Sequence, residues 1–132
     1  MEFFEGAALK RLERTLDLTA FRQRLISSNI ANEETPNYKA KDIDFKKELE
    51  GIINGNGIKM TSTNEGHFPD VAARREPFVV ESEDNKQGLD MNTVSLEKEM
   101  VKMAENTLLY NVSVTLLARE FEGLRNAIRE GK

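Results

Sequence analysis

The sequence predicts a mainly α-helical protein whose long N- and C-terminal helices pair as a coiled-coil-like hairpin, with an irregular middle segment that carries short β elements. Apolar residues recur every three or four positions at both ends of the chain, which is the spacing of one helix face. The three prolines all lie between those ends, at Pro36, Pro69 and Pro77. A chain of 132 residues can bury one hydrophobic core but not two. We therefore expect the two terminal helices to form one helical domain.

The N-terminal helix is predicted within residues 1–34. Its apolar residues follow a heptad pattern, as in helices that pair with another helix. Charged residues continue up to Arg24 and then stop, so that the stretch from Leu25 to Asn32 carries no charge. The apolar residues that we expect to form the helix-pairing stripe of this helix are Leu9, Leu12, Leu16 and Ile26.

The end of this helix is marked by the sequence SSNIANEETPNY at residues 27–38. A charge-free helix end suits a packed contact, because burying an unpaired charge is costly. Pro36 cannot continue a helix, and asparagines near a helix end can bond the last carbonyls or adopt a left-handed turn. We expect the ring of Tyr38 to pack back with its hydroxyl hydrogen-bonded. The candidate helix-end and assembly motif consists of Ser28, Asn29, Ile30, Ala31, Asn32, Thr35, Pro36, Asn37 and Tyr38.

Residues 35–91 form a polar middle segment. A short helix is predicted within Asp42–Gly51, and short strands are predicted at residues 58–60 and 78–80. Two Asn-Gly pairs within residues 53–57 indicate a turn. A long polar stretch of this kind either orders on a partner or stays mobile.

The C-terminal helix, predicted within residues 92–132, gives the strongest periodic signal in the chain. From Asn92 to Glu130, at 1.5 Å per residue, it would be roughly 55 Å long. Its helix-pairing stripe keeps a three-four alternation through Leu96, Met100, Met103, Tyr110, Val114, Leu117, Phe121, Leu124 and Ile128.

The same helix is apolar on more than one face. No charged residue occurs from Asn106 to Ala118, and large apolar residues lie off the stripe. A helix that is apolar on several faces is buried on several sides, so we expect its middle to contact several other helices. The candidates for contacts between subunits are Leu108, Leu109, Val112 and Leu116.

Composition narrows the classes of function. The net charge is −4 and no lysine or arginine cluster is present, which disfavours nucleic acid as a partner. The absence of cysteine excludes disulfides and thiolate chemistry. No apolar run approaches the roughly 18 to 20 residues that span a bilayer, so no membrane insertion is expected. No apolar stretch of a secretory signal follows Met1, so any export is expected to proceed without a cleaved signal peptide.

No catalytic, cofactor-binding or metal site is predicted, and no small-molecule substrate. His67 is the only histidine, and one histidine without cysteine is a poor metal site. The paired carboxylates of Asp42 and Asp44, or of Glu97 and Glu99, diverge on a helix, so we interpret them as capping or solvated residues. The GNG at residues 55–57 lacks the Gly-Lys-Ser/Thr ending of a phosphate loop.

Two motifs together resemble those of the bacterial flagellar rod family. The stretch SSNIANEETPNYKAKDIDF, residues 27–45, is similar to the end of the family's N-terminal helix, and LEKEMVKMAENTLLYN, residues 96–111, is similar to its C-terminal hallmark. Asn37 and the total length resemble the proximal rod members, since related rod and hook subunits more often carry Gly at that position. Several of those subunits also have large inserted middle domains.

The resemblance implies a structural subunit of the flagellar basal body that polymerises through its terminal helices into a hollow drive shaft needed for motility. Its implied partners are copies of itself, other rod subunits, the adaptor at the rod base and the flagellar type III export apparatus. Such proteins leave the cytoplasm without cleavage of a signal peptide. Two alternatives stay open: another rod or rod-adaptor subunit, and a cytosolic coiled-coil adaptor or chaperone.

Overall fold

A computed structural model describes residues 2–54, 77–81 and 89–131 of the chain. Two long helices dominate it, α1 (Glu2–Ala31) and α3 (Leu96–Glu130). Between them lie the strand β1 (Lys41–Ile43), the helix α2 (Phe45–Ile53) and the strand β2 (Val79–Glu81). The prediction of a mainly helical protein with short β elements in its middle segment is confirmed.

The helices α1 and α3 pack side by side and run antiparallel. Asn29, near the end of α1, bonds Glu99 in the first turn of α3, whereas Thr19, earlier on α1, bonds Asn106 further along α3. Residue numbers therefore fall on one helix as they rise on the other. The 35 residues of α3 give it a length of roughly 52 Å, which is close to the predicted length.

The apolar centre of this helix pair comes from α1. Leu18 and Ile26 are buried there together with Thr15 and Thr19. The threonine hydroxyls donate to carbonyls of their own helix, at 2.8 Å and 2.9 Å, so these polar groups are satisfied inside the contact. The other predicted stripe residues of this helix are half-buried: Leu9, Leu12 and Leu16.

Helix α3 buries polar residues in this contact and covers its predicted helix-pairing stripe only in part, which corrects that prediction. Its buried residues are Glu99, Asn106 and Ser113, one every seven positions. Heptad spacing is shared by this polar line and by the apolar line, so spacing alone does not determine which of them faces the partner helix. Of the predicted stripe, Met103, Leu117 and Leu124 are half-buried. The remaining stripe residues expose 36–70% of their surface: Leu96, Met100, Tyr110, Val114, Phe121 and Ile128.

One of the predicted subunit-contact residues is also placed differently from expectation. Leu109 is half-buried and lies about one helical turn from both Asn106 and Ser113, on the side that faces α1. The other three candidates are exposed: Leu108, Val112 and Leu116.

The middle segment packs onto α1 through β1. Lys41, Asp42 and Ile43 pair antiparallel with Glu81, Val80 and Val79 in a two-stranded sheet. Ala40 and Ile43 are buried at this junction.

The short helix α2 begins later than predicted, at Phe45. The stretch 41–43 extends as a strand, and the carboxylate of Asp44 then caps the helix by accepting from Lys47 N at 3.2 Å. The second predicted strand appears as β2, shifted by one residue. The predicted strand at residues 58–60, residues 55–57 of the turn predicted at 53–57, and His67 lie outside the described residues.

Candidate functional site

The turn that follows α1 is held by its own side chains. Asn32 Nδ2 donates to the carbonyl of Ser28 at 2.8 Å, and Thr35 Oγ1 donates to Asn32 Oδ1 at 3.1 Å. The hydroxyls of Tyr38 and Ser28 are 3.1 Å apart, so the Tyr38 side chain folds back on the helix end. Asn37 takes the left-handed conformation with φ of 62°, which asparagine tolerates better than most residues. In this turn Ala31 and Pro36 are exposed and Ile30 is half-buried.

Asn92 joins this turn to the start of α3. Its side chain is buried, and Nδ2 lies 2.9 Å, 2.9 Å and 2.7 Å from the carbonyl oxygens of Asn32, Glu33 and Thr35. Its Oδ1 accepts from Val94 N at 2.7 Å. One carboxamide therefore satisfies backbone groups on two segments that are far apart in sequence.

Thr93 adds a second link at the same place. Its N–H donates to the Tyr38 carbonyl at 3.1 Å, and its Oγ1 accepts from Ala40 N at 2.9 Å. Asn37 N also donates to the carbonyl of Asp90 at 2.9 Å. We call residues 28–38 together with residues 90–93 the helix-end corner.

Asn29 connects α1 to both β1 and α3. Its carboxamide donates to Lys41 O at 2.7 Å and accepts from Lys41 N at 2.9 Å, as the peptide group of a neighbouring strand would. The same Nδ2 lies 3.0 Å from Glu99 Oε2. The edge of β1 that faces away from β2 is thereby closed by a side chain.

A chain of charges continues from Glu99. Lys102 Nζ lies 3.0 Å from Glu99 Oε1 and 3.0 Å from Asp42 Oδ2. Arg22 Nε in turn lies 3.2 Å from Asp42 Oδ1, and the Arg22 guanidinium stands 4.8 Å from the centre of the Phe45 ring. These contacts tie α1, α3, β1 and α2 together.

The ionisation of two groups in this chain is shifted. Burial raises the pKa of Asp42, but hydrogen bonds from Arg22, from Ile43 N and from Lys102 outweigh it and hold the pKa below its ordinary value of 3.8. Burial lowers the pKa of Lys102, but its bonds to Asp42 and Glu99 outweigh this and hold the pKa above 10.5.

Asn106 forms a second direct polar link between α1 and α3. Its Nδ2 donates to the carbonyl of Thr19 at 2.9 Å and to Gln23 Oε1 at 3.0 Å. Together with the bond between Asn29 and Glu99, this fixes the position of the helices along each other.

The outer surface of α3 is apolar and exposed. Leu108, Val112 and Leu116 expose 67%, 47% and 43% of their surface. They lie within the charge-free stretch from Asn106 to Ala118. An exposed apolar patch on a helix is a signature of contact with another protein.

The turn was predictable from the sequence, but the residues that anchor it were not. The missed residues are Arg22, Asp42, Asn92, Thr93, Glu99, Lys102 and Asn106. The available signal was polar residues repeating every seven positions on α3, at Glu99, Asn106 and Ser113. Within the ranges that the structure describes, no three His, Asp or Glu side chains converge as a metal site requires. Neither long helix, over its described residues, carries an apolar stretch that could cross a membrane.

Comparisons with known proteins identify relatives. No family model matches the chain. It is 34% identical over 132 residues to the flagellar basal body rod protein FlgB of Salmonella typhimurium, with 95% of each chain covered. The protein of the same name from Escherichia coli K12 is 33% identical over 133 residues, again with 95% of each chain covered. That of Cereibacter sphaeroides is 43% identical over 118 residues, covering 88% of this chain and 89% of the relative.

Proposed function

This chain belongs to the family of flagellar basal body rod proteins FlgB, and from that membership we propose that it is a structural subunit of the proximal rod in the bacterial flagellar basal body. The observation that carries the proposal is similarity along almost the whole length of chain and relatives, at 32–43% identity. In this role the protein is part of the shaft that drives flagellum-dependent motility. Its work is mechanical, and we propose no catalytic step for it.

Copies of this chain and other rod subunits are the proposed partners. The support is the exposed apolar surface of α3, which extends over more than one side of the helix. Tyr110 and Phe121 lie on one side and Leu108 and Val112 on another. A helix with two exposed apolar sides can contact two neighbours, as a subunit in the wall of a tube must.

The helix-end corner has a supporting role in this proposal. Asn29 and Asn92 bond backbone groups on separate segments, so the end of α1, the strand β1 and the start of α3 are held as one piece. A shaft that transmits torque requires subunits that do not deform at such junctions. The further proposed partners are the adaptor at the rod base and the type III export apparatus, through which the chain would leave the cytoplasm without cleavage of a signal peptide.

The test is deletion of the gene in the source bacterium, with complementation by the intact gene. We expect the deletion to abolish swimming and to yield basal bodies without a rod in electron micrographs. Complementation should restore both, with the protein recovered in purified basal bodies. Intact rods in the deletion strain, with the protein in the soluble fraction, would instead indicate a cytosolic coiled-coil adaptor or chaperone.

A further inference from the structure

The exposed surface of the hairpin carries one charge-free stretch on each long helix. On α3 it runs from Asn106 to Ala118, and on α1 from Leu25 to Asn32. Elsewhere both helices carry charged residues on nearly every turn. A contact that covers either helix from outside avoids burying unpaired charge only at these two stretches.

The two stretches have complementary shapes. On α3 the exposed side chains are large, with Leu108, Val112 and Leu116 standing out from the helix. On α1 the exposed side chains are small, Ser27 and Ala31 among them. Helix axes approach closely where large side chains of one helix meet small side chains of the other. One stretch supplies ridges and the other supplies the shallow surface that receives them.

Within one chain these stretches cannot cover each other. The bond between Asn29 and Glu99 places the α1 stretch beside the first turns of α3. The bond from Asn106 to Thr19 places the α3 stretch beside the first two-thirds of α1. The centres of the two stretches are about twelve residues apart along α3, which is roughly 18 Å at 1.5 Å per residue.

We propose that the outer face of α3, at Leu108, Val112 and Leu116, docks against the outer face of α1, at Ser27 and Ala31, on a second copy of this chain shifted along the helix axis. The proposal rests on the proposed function and adds which face meets which. The occupant is a second copy because the same chain presents both the apolar ridge and a charge-free surface fitted to it. The offset requires a shift of roughly 20 Å between copies.

The symmetry of this contact agrees with a shaft. If α3 met α3 through the same patch, the contact would be self-complementary and would close as a dimer. When α3 of one copy meets α1 of the next, the first copy keeps an unused α1 surface and the second keeps an unused α3 surface. Such a contact continues from copy to copy, and an axial shift at each step makes a filament instead of a ring.

Cysteine cross-linking tests the proposal directly because the natural chain contains no cysteine. Two variants of the chain, each with a single cysteine, are produced together in cells that lack the natural gene. One carries Ser27→Cys or Ala31→Cys on α1, and the other carries Leu108→Cys, Val112→Cys or Leu116→Cys on α3. The positions on each helix are one turn apart. The six pairs of cysteines therefore still include a close pair if the true shift differs from the inferred shift by about one turn. Swimming verifies that each variant assembles.

We expect oxidation of purified basal bodies to give a disulfide between the two variants in at least one combination. Its yield should exceed by tenfold or more that of either variant produced alone. The control replaces the α1 partner by Arg14→Cys, an exposed position among charged residues, and should give no such product.

Two results would overturn the inference while leaving the proposed function intact. One is a dominant product between two α3 cysteines, which would show a self-complementary contact. The other is no mixed product in basal bodies that contain both variants at natural abundance. Absence of the protein from basal bodies would overturn the proposed function, and the inference with it.

Discussion

Two asparagines use a side-chain carboxamide in place of a backbone group. Asn29 both donates to and accepts from Lys41, and Asn92 faces three carbonyls of the turn after α1. A carboxamide offers two donors and an acceptor with the geometry of a peptide bond. The sequence placed Asn29 in the helix-end motif but used Asn92 only to mark the start of the predicted C-terminal helix. The reason is that its partners lie 57–60 residues away in the chain, where no local spacing rule reaches.

Replacing Asn92 by Ala removes the donor that the three turn carbonyls share. We expect the free energy of unfolding to fall by about 1–3 kcal/mol, because the bonds from Asn92 Nδ2 to the turn carbonyls and from Val94 N to Asn92 Oδ1 are all lost. Urea unfolding of the purified protein measures this. The matched control is Asn111→Ala, an exposed asparagine on α3, which should change stability by about 0.5 kcal/mol or less. Equal effects of the two substitutions would mean that the Asn92 contacts contribute nothing.

The charges around Asp42 give stability a defined pH dependence. The pKa of Asp42 is lower in the folded protein than its ordinary value of 3.8. The ionised Asp42 therefore contributes its full stabilisation above pH 3.8, and this stabilisation is lost as the pH falls through the folded pKa. The difference in unfolding free energy between wild type and Asp42→Asn should therefore be constant near neutral pH and shrink below about pH 4. Lys102 acts in the opposite direction. Its raised pKa makes its contribution complete below 10.5 and lost as the pH rises through the folded pKa.

Urea unfolding of both proteins between pH 2 and pH 7 tests the expected loss of the Asp42 contribution at acidic pH. A difference that stays the same over that whole range would show that the Asp42 carboxylate gains nothing from its partners in the fold.

At the scale of elements, the existence and type of both long helices follow from apolar periodicity, and their ends agree with prediction to within four residues. Apolar periodicity does not determine which face of α3 turns towards α1. A polar line at Glu99, Asn106 and Ser113 repeats with the same period as the apolar line, and each line is a possible contact face. Hydrogen bonds to specific groups on α1 select the polar line, and those partners become visible only when the helices are placed together.

The predicted start of α2 was wrong for a related reason. Residues 41–43 are compatible with a helical pattern, but in the fold they pair with β2, and Asn29 bonds the other edge of that strand. Tertiary partners override local preference in a stretch this short.

The two sides of α3 predict different behaviour for adjacent residues in the monomer. Leu109 is half-buried towards α1, and Leu108 is exposed. We expect Leu109→Glu to lower the free energy of unfolding by about 2 kcal/mol or more, since a carboxylate enters a contact that lacks a partner for it. Leu108→Glu should change it by about 0.5 kcal/mol or less, because glutamate is a good helix former at an exposed position. Circular dichroism during urea unfolding distinguishes them, and the reverse order would contradict the assigned rotation of α3.

For the whole molecule, the exposed apolar surface and the length of α3 indicate that the fold is completed by neighbours. Composition and periodicity predicted this surplus of apolar surface, because a single antiparallel pair cannot cover a helix that is apolar on several sides. They did not predict which side meets the partner helix in the chain, and hence which side is left for other copies.

Truncation at the end of α3 should affect assembly without preventing folding. Arg125 and Ile128 are exposed in the single chain, as expected where the helix leaves its neighbours. Removal of residues 125–132 should therefore cost the monomer about 1 kcal/mol or less, since a helix end frays readily. We expect the same truncation to prevent rod assembly, because it deletes apolar surface available to other copies. Normal rods built from the truncated protein would show that the helix end is dispensable.

We propose that the outer face of α3 is buried between copies in a rod, and Leu108→Glu tests this burial most directly. A carboxylate buried there without a partner costs about 3–5 kcal/mol, which weakens each contact roughly a hundred- to a few thousandfold. Electron microscopy of basal bodies from cells carrying Leu108→Glu should show no rod, although the protein is produced and folded. Lys10→Glu, which places the same side chain among charged residues of α1, should leave rods intact. Normal rods in the Leu108→Glu strain would contradict the account.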